Sequence, residues 1–107
     1  MFMSKIDTFK AMLDKGQDNA LLRYSLGSAY FAEQQFQLAA VHLDAAVRQD
    51  EGYSAAWKLL GRSYSEDGDY LKAIGAFERG IEVALEQGDK QAEKEMTVFL
   101  RRAKKNA

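Results

Sequence analysis

Cysteine, proline and strand-like patterns are all absent from this 107-residue chain. Without cysteine the chain can form neither a disulfide nor a thiolate metal site, so packing alone must hold the fold together. Without proline, its segments must be joined by turns built from residues such as glycine, asparagine and aspartate. Apolar residues recur at three- and four-residue spacing, and no segment alternates β-branched and polar residues over the length of a strand. The sequence therefore predicts an all-α protein.

An excess of one charge and a long apolar run are also lacking. The 15 basic and 16 acidic residues leave a formal net charge of −1, which gives no overall field that would concentrate nucleic acid or an anionic membrane. The segment from Met1 to Lys5 has no apolar core of a signal peptide, and no later run is long enough to span a membrane. We expect one cytoplasmic domain over residues 1–107 that binds neither membrane nor nucleic acid.

One pattern of large and small residues recurs after 34 positions. A period of this length is typical of helix-turn-helix repeats, which bury their apolar faces by stacking on their neighbours. Glycine and alanine within the pattern allow the two helices of each unit to approach closely, where larger side chains would hold them apart. The recurring residues are Leu26-Gly27, Tyr30 and Ala39, followed by Leu60-Gly61, Tyr64 and Ala73.

The second copy of this pattern matches a known repeat at every spacing. The tetratricopeptide pattern W-x2-L-G-x2-Y…A-x3-F is met by Trp57, Leu60, Gly61, Tyr64, Ala73 and Phe77. In the first copy, Arg23 stands where the second copy has Trp57. The chain therefore resembles the tetratricopeptide-repeat (TPR) family. The resemblance implies a short right-handed solenoid of antiparallel helix-turn-helix repeats with about six helices.

The resemblance also divides the chain into four parts. Alignment backward by the same period places Phe9 at the position of Phe77, so the first helix corresponds to half a repeat. A charged helix follows the second repeat and is expected to cap the stack. The expected parts are a half-repeat helix at residues 4–16, repeats at 20–53 and 54–87, and a capping helix at 89–105.

Local signals predict where several helices begin and end. Ser4, Asn19 and Ser54 are residues of the types whose side chains cap helix N-termini. In the second repeat the family's turn proline is replaced by Leu85, which removes a sharp stop. We therefore expect the second helix of that repeat to continue for about two extra turns and to end before Gly88.

The resemblance further implies a binding surface. In the TPR family the first helix of each repeat lines a concave groove that holds a segment of another protein. The matching positions in this sequence are Leu21, Tyr24, Ser28, Phe31, Ala55, Lys58, Arg62 and Ser65.

A chaperone-type carboxylate clamp is not expected in this groove. Family members with such a clamp hold the C-terminal carboxylate of a peptide with lysine, asparagine and arginine residues from three consecutive first helices. Here only Lys58 lies at a matching position. Tyr24, Ser28 and Arg62 stand where the clamp needs other residues, and a third full repeat is missing.

Two pairs of groove residues have alternative interpretations. Lys58 and Arg62 lie four residues apart, so both could meet one carboxylate or an acidic segment of a partner. They could equally form a solvated face stabilised by neighbouring glutamate or aspartate. Tyr24 and Phe31 could form an aromatic shelf for an apolar or helical segment, or they could pack between helices.

No arrangement of residues in the sequence favours catalysis or metal binding. His42 is the only histidine and has no ligand set at suitable spacing, so we expect it at the surface. Asp67 and Asp69 flank Gly68 in a segment typical of a turn, which accounts for them without acid-base chemistry. Ser-His-Asp, Cys-His and phosphate-loop patterns are absent. The sequence therefore predicts no catalytic residue, no metal site, no cofactor and no enzymatic activity.

The last residues of the chain are basic. Arg101, Arg102, Lys104 and Lys105 could attract an acidic partner or RNA. The same charges near a helix C-terminus complement the helix dipole and keep a capping helix soluble. Since the whole chain carries no positive excess, the second explanation is favoured over binding of nucleic acid.

These observations support one main hypothesis and one alternative. We expect a non-catalytic protein–protein interaction module, a scaffold or adaptor that binds a peptide or helix of another protein in the concave groove. The alternative is self-association, because a stack this short exposes its ends. Phe2, Met3 and the last helix are the segments that could then form a homodimer.

Overall fold

The secondary structure is entirely helical in the part of the chain that the computed structural model describes, residues 3–107. The all-α prediction is therefore confirmed, and residues 3–107 form six helices, which agrees with the expected number of about six. Their bounds are α1 (Lys5–Asp14), α2 (Ala20–Ala32), α3 (Phe36–Gln49), α4 (Ser54–Glu66), α5 (Tyr70–Gln87) and α6 (Lys90–Asn106).

The helices stack in sequence order, and the stack is curved. Each helix packs against the next one in the chain. In addition, α2 contacts α4 and α4 contacts α6, whereas α1, α3 and α5 have no Cα atoms within 8 Å of one another. The helices α2, α4 and α6 therefore lie closer together, and the stack is concave on their side. Equivalent helices begin 34 residues apart, at 20 and 54 for α2 and α4 and at 36 and 70 for α3 and α5.

The N-termini of α1 and α2 are capped as predicted. The side-chain oxygen of Ser4 accepts a hydrogen bond from the backbone N–H of Asp7 at 3.1 Å. The side-chain oxygen of Asn19 accepts one from the N–H of Leu22 at 2.8 Å. Each bond satisfies an N–H group that has no partner inside the helix, and replacing such a cap by alanine typically costs about 1 kcal/mol.

The prediction that Ser54 caps α4 is wrong. Ser54 is the first residue of the helix, Tyr53 occupies the cap position, and no side chain bonds to the first turn. The ring of Tyr53 stacks on that of Tyr24 with centroids 5.0 Å apart, which fixes the chain just before the helix. The N–H of Ser54 donates to the backbone carbonyl of Gly52 at 3.0 Å. Aromatic packing thus sets a boundary for which the sequence suggested a hydroxyl cap.

The second helix of the second repeat is extended, but by about one turn rather than the predicted two. The helix α3 ends at Gln49, which corresponds to Val83 in α5, and α5 continues only four residues further. The helix α5 has 18 residues and ends at Gln87. The next residue, Gly88, has a φ of +70°, a left-handed conformation that glycine adopts without strain. The equivalent helix α3 ends after 14 residues because Asp50 Oδ1 accepts a hydrogen bond from the N–H of Gly52 at 3.0 Å and turns the chain.

The glycines of the repeat pattern bring the helices of each repeat together, as predicted. A Cβ atom placed on Gly27 would lie 2.5 Å from Leu43 Cγ, and one placed on Gly61 would collide with the ring of Phe77. Leu43 and Phe77 are both almost completely buried, so neither can move aside. Direct packing of a large side chain on the glycine backbone is therefore the central contact of each repeat.

Two further glycines lie on α5 and differ from each other. A Cβ atom on Gly80 would collide with the sulfur of Met96, which belongs to α6, and would lie 2.9 Å from Trp57 Cβ. By contrast, no atom lies within 4 Å of the Cβ position of Gly75. Gly80 thus allows the last helix to approach α5, whereas packing gives no reason for glycine at position 75.

Arg23, which stands where the second copy has Trp57, has an anchoring role similar to that of the tryptophan. Trp57 Nε1 donates a hydrogen bond to the backbone carbonyl of Glu51 at 2.8 Å and so ties the start of α4 to the preceding loop. Arg23 Nε donates to Asp18 Oδ1 at 2.8 Å and ties the start of α2 to its own preceding loop. The departure therefore preserves the anchor at the beginning of the repeat.

The expectation that His42 lies at the surface is wrong, because its ring is half-buried. The ring stacks on Tyr30 with centroids 5.5 Å apart, and Nδ1 lies 3.1 Å from Arg23 Nη1. Burial, and then the positive charge of Arg23, lowers the pKa of His42 below its ordinary value of 6.5. Hydrogen bonds from Arg23 and then Gln49 lower the pKa of the neighbouring Asp18. This group of side chains links the loop before α2 to α2 and α3.

Gly61→Ala should lower the free energy of unfolding by about 1–3 kcal/mol, because the new methyl group must displace the packed ring of Phe77. Gly75→Ala is the matched control and should raise it by about 1 kcal/mol, since the space around that position is empty. Urea unfolding followed by circular dichroism measures both changes. Equal effects of the two substitutions would contradict this description of the packing.

Acid should weaken the fold in two steps. The unfolded chain protonates His42 near its ordinary pKa of 6.5 and Asp18 near its ordinary pKa of 3.8, whereas the folded chain resists both protonations. The unfolded state then binds more protons, so the free energy of unfolding falls as the pH drops below about 6.5 and again below about 4.

Urea midpoints measured from about pH 8 to about pH 3 separate these steps. His42→Gln should abolish the first decrease and leave the second, and Asp18→Asn should do the reverse. If the midpoints of the wild type and of His42→Gln decrease in parallel through the first step, then His42 does not cause it.

Candidate functional site

The residues predicted to line the groove all lie on α2 and α4, and several face the concave side. Leu21 and Ser28 are exposed. The others are half-buried, so they combine contacts within the protein with accessible surface, and they are Tyr24, Phe31, Ala55, Lys58, Arg62 and Ser65.

Tyr24 packs between helices rather than forming a free shelf. Its ring stacks on Tyr53, which immediately precedes α4, at a centroid distance of 5.0 Å and an interplanar angle of 26°. Tyr24 also packs against the buried core that α2, α3 and α4 share. Of the two interpretations of this residue, the structure places it in interhelical packing, with part of its ring still accessible.

Lys58 and Arg62 do not share a carboxylate within the protein. Lys58 Nζ lies 3.2 Å from Glu95 Oε1, and this ion pair connects α4 to α6. Arg62 has no carboxylate oxygen within 4.0 Å among residues 3–107 and instead contacts aromatic rings. The two cations thus differ in chemistry, since Lys58 is neutralised by a neighbouring helix and Arg62 keeps its charge unpaired.

The guanidinium of Arg62 lies between rings from α2 and α6, which flank α4 on the concave side. We call α2, α4 and α6 the concave helices. Its Cζ lies 4.9 Å from the ring centroid of Phe31 in α2 and 5.4 Å from that of Phe99 in α6. Phe31 in turn meets Phe36 edge-to-face at 5.2 Å. Each cation–π contact of this kind contributes about 0.5–1 kcal/mol at an exposed site. The three concave helices are therefore joined by one aromatic and cationic cluster, Phe31–Arg62–Phe99.

Phe99 and Glu95 are groove-side residues that the sequence analysis missed. The sequence prediction assigns groove residues only to the two full repeats and describes the last helix only as a charged cap. The signal was present, because adding 34 to Phe31 gives Ser65 and adding 34 again gives Phe99. Extending the period into the last helix would have placed Phe99 beside the predicted groove residues.

A cavity of about 670 Å³ lies between α3 and α5, on the face opposite the concave side. Its floor consists of motif residues of α4, and Gly75 lies in its wall. Its two cations are paired, since Arg48 Nε lies 2.8 Å from Asp44 and Lys72 Nζ lies 3.9 Å from Asp69. A third carboxylate in its lining, Asp67, accepts a hydrogen bond from Gln37 at 3.4 Å. None of the predicted groove residues lines it.

The described residues do not bring together a metal site. Within residues 3–107, no group of at least three histidine, aspartate or glutamate side chains could hold a metal ion. Asp67 and Asp69 lie in the turn before α5, and the Asp69 side chain accepts a hydrogen bond from the N–H of Lys72 at 3.2 Å, which caps that helix. In the same residues, no helix is both long and apolar enough to cross a membrane.

Comparison with known proteins gives a consistent result at both the sequence and the structural level. The chain is 52% identical over 97 residues to a TPR repeat-containing protein of Pseudomonas aeruginosa, covering 91% of this chain and 92% of the relative. It superimposes on the solution structure of a Bordetella parapertussis protein with a TM-score of 0.82 and 42% identity, covering 97% of this chain and 90% of that one.

A more distant relative is a heat-shock protein cognate co-chaperone, sgt12, of Aspergillus fumigatus, with 32% identity over 81 residues. The match covers 76% of this chain but only 24% of that much longer protein. No protein-family model matches the chain. The 34-residue period, the helix stacking and the Pseudomonas relative all indicate the same family. The chain belongs to the tetratricopeptide-repeat family, whose members generally act as protein–protein interaction modules and are typically non-catalytic.

Proposed function

We propose that this protein is a scaffold or adaptor that binds a peptide or helix of another protein on its concave face. The observation that carries the proposal is the cluster Phe31–Arg62–Phe99, which spans all three concave helices and is only half-buried. A few residues carry most of the binding energy of a protein interface, and arginine is enriched among them. Phenylalanine, like the other aromatic residues, is enriched at interface cores.

The surroundings of the cluster favour a partner segment with both apolar and acidic character. Ser28 and Leu21 extend the surface along α2 and are exposed, with Leu21 at 67%. The unpaired charge of Arg62 gives the same surface a group that binds carboxylates. A segment that placed an apolar side chain against the rings and an acidic one near Arg62 would match both features.

The proposed binding mode differs from a chaperone-type clamp. Lys58 is the only residue at a matching position, and its ammonium is already paired with Glu95 at 3.2 Å. Tyr24, which stands where the clamp needs lysine, stacks on Tyr53. We therefore assign the partner by the chemistry of the Phe31–Arg62–Phe99 cluster rather than by the name of the co-chaperone relative.

Site-specific photo-crosslinking tests this proposal. Introduced at Ser28 on the concave face, p-benzoylphenylalanine should form one discrete adduct with a host protein, identifiable by mass spectrometry. The same group at Val41, which is 59% exposed on the opposite face, is the matched control and should not form that adduct. Phe31→Ala, combined with the probe at Ser28, should reduce the adduct by about tenfold or more, because it removes a ring from the cluster. The same adduct from both positions, unchanged by Phe31→Ala, would refute a concave binding face.

Self-association through the N-terminal end is a second candidate. No side chain of α1 is fully buried, and apolar side chains near this end are exposed, at 61% for Met3, 36% for Met12 and 67% for Leu21. Phe2, also named for this role, lies outside the described residues. Such surface would be covered if two copies met end to end.

Multi-angle light scattering tests this second candidate. A homodimer should show a mass near twice the 12.0 kDa of the chain at high concentration, and Met3→Glu should return it to the monomer mass. Leu85→Glu is the control, since Leu85 is similarly exposed at 58% but lies on α5. A mass of 12.0 kDa at every concentration would exclude the homodimer.

A further inference from the structure

Arg62 differs from the other half-buried basic side chains in the described part of the chain. Within residues 3–107 the half-buried lysine and arginine residues are Arg23, Lys58, Arg62 and Arg79. Three of them have a carboxylate oxygen within 4.0 Å, provided by Asp18, Glu95, and Glu51 with Glu82. Arg62 has none among these residues. A partly desolvated guanidinium without a carboxylate is a charge for which a ligand can supply the missing partner.

A second arginine lies on the same ring. Arg102 Cζ is 5.9 Å from the ring centroid of Phe99, and Arg62 Cζ is 5.4 Å from it. Arg102 also has no carboxylate oxygen within 4.0 Å in the described part of the chain. Stacking on a ring leaves the N–H groups at the edge of a guanidinium plane available, and these match the two oxygens of a carboxylate.

Both arginines line a cavity of about 280 Å³ between α4 and α6. The aromatic part of its wall consists of Tyr70, Phe77 and Phe99, and Phe77 stacks on Phe99 at 5.7 Å. Ser65 and Asn106 add polar atoms to the wall. Glu66 adds one carboxylate to the same wall. The cavity therefore combines two arginines that have no carboxylate oxygen within 4.0 Å among residues 3–107, one glutamate, and an apolar surface large enough for one side chain.

We propose that this cavity binds a carboxylate that a partner peptide carries beside an apolar side chain. Arg62 and Arg102 hold the carboxylate, and Phe99 with Tyr70 contacts the apolar group. The proposal rests on the proposed function, because it names the chemistry of the segment that the concave face binds. Arg62 stands at a position where the chaperone-type clamp needs another residue, whereas Arg102 and Phe99 lie at positions that the clamp does not use.

The electrostatics of the cavity favour a carboxylate over a phosphate. The last turns of α4 and α6 both line it, through Glu66 and Asn106 respectively. Each helix C-terminus carries roughly half a negative charge, and the carboxylate of Glu66 adds one full negative charge. These negative contributions offset much of the charge of the two guanidinium groups, so an anion must be held by direct hydrogen bonds from Arg62 and Arg102 rather than by an overall positive potential. They also oppose a doubly charged phosphate more strongly than a singly charged carboxylate.

Titration of the 15N-labelled protein with small probes tests the assignment. N-acetyl-phenylalanine carries an aromatic ring beside a free carboxylate, and its amide is the control that lacks only the charge. Acetyl-phenylalanyl-glutamate amide moves the carboxylate to a side chain and so distinguishes a chain terminus from an internal acidic residue. We expect saturable chemical-shift changes at positions 62, 99 and 102 with at least one of the two acids. The amide of N-acetyl-phenylalanine and inorganic phosphate should produce much weaker changes.

Substitutions separate a specific site from general charge attraction. Arg62→Gln and Arg102→Gln should each weaken binding of the acid by about tenfold or more, because each removes charge-assisted hydrogen bonds. Arg101→Gln removes the same charge from the adjacent, exposed position and should change binding less than about twofold. Since Arg102 is exposed, Arg102→Gln tests the site even if Arg62→Gln destabilises the fold.

Three results would overturn the proposal: equal binding of the acid and its amide, tighter binding of phosphate, or equal effects of Arg101→Gln and Arg102→Gln. A failure here is distinguishable from a failure of the proposed function. If the crosslink from Ser28 persists while the acids do not bind the cavity, the concave face is still the binding face and only the carboxylate assignment is wrong.

Discussion

The packing of one large side chain directly onto a glycine backbone is the contact on which the rest of this structure depends. Leu43 on Gly27 and Phe77 on Gly61 close the two repeats, and Met96 on Gly80 attaches the last helix. The chain has no disulfide to compensate for a loss of this contact. These three contacts fix the spacing of the helices. That spacing brings α2, α4 and α6 together on the concave side. The position of the candidate binding face thus follows from three glycines.

Much of the fold could be predicted because its constraints are local or periodic. The caps at Ser4 and Asn19 and the glycine after α5 depend on neighbouring residues, and the glycine contacts recur with the repeat. Ser54 and His42 were misjudged because long-range packing decided their environments. The ring of Tyr24, in the preceding repeat, stacks on Tyr53 and fixes the chain before Ser54. The ring of Tyr30, in α2, covers His42. Neither contact leaves a trace in the sequence spacing around the residue concerned.

The candidate site was only partly predictable for a related reason. The residues of α2 and α4 follow from the repeat, but the sequence does not show which cation is neutralised internally. Lys58 is paired with Glu95 of α6, whereas Arg62 contacts Phe31 and Phe99 and has no carboxylate oxygen within 4.0 Å in residues 3–107. A helix that completes the stack therefore also selects the groove chemistry, since it removes one cation from the surface and presents the other on aromatic rings.

Chemical-shift mapping of the 15N-labelled protein, with the partner captured from its host, tests most directly whether the concave side is the binding face. The amide shifts that change on binding should cluster on α2, α4 and α6, with the largest changes around Phe31, Arg62 and Phe99. Changes confined to α3 and α5, around the cavity of about 670 Å³ on the opposite face, would contradict a concave binding face.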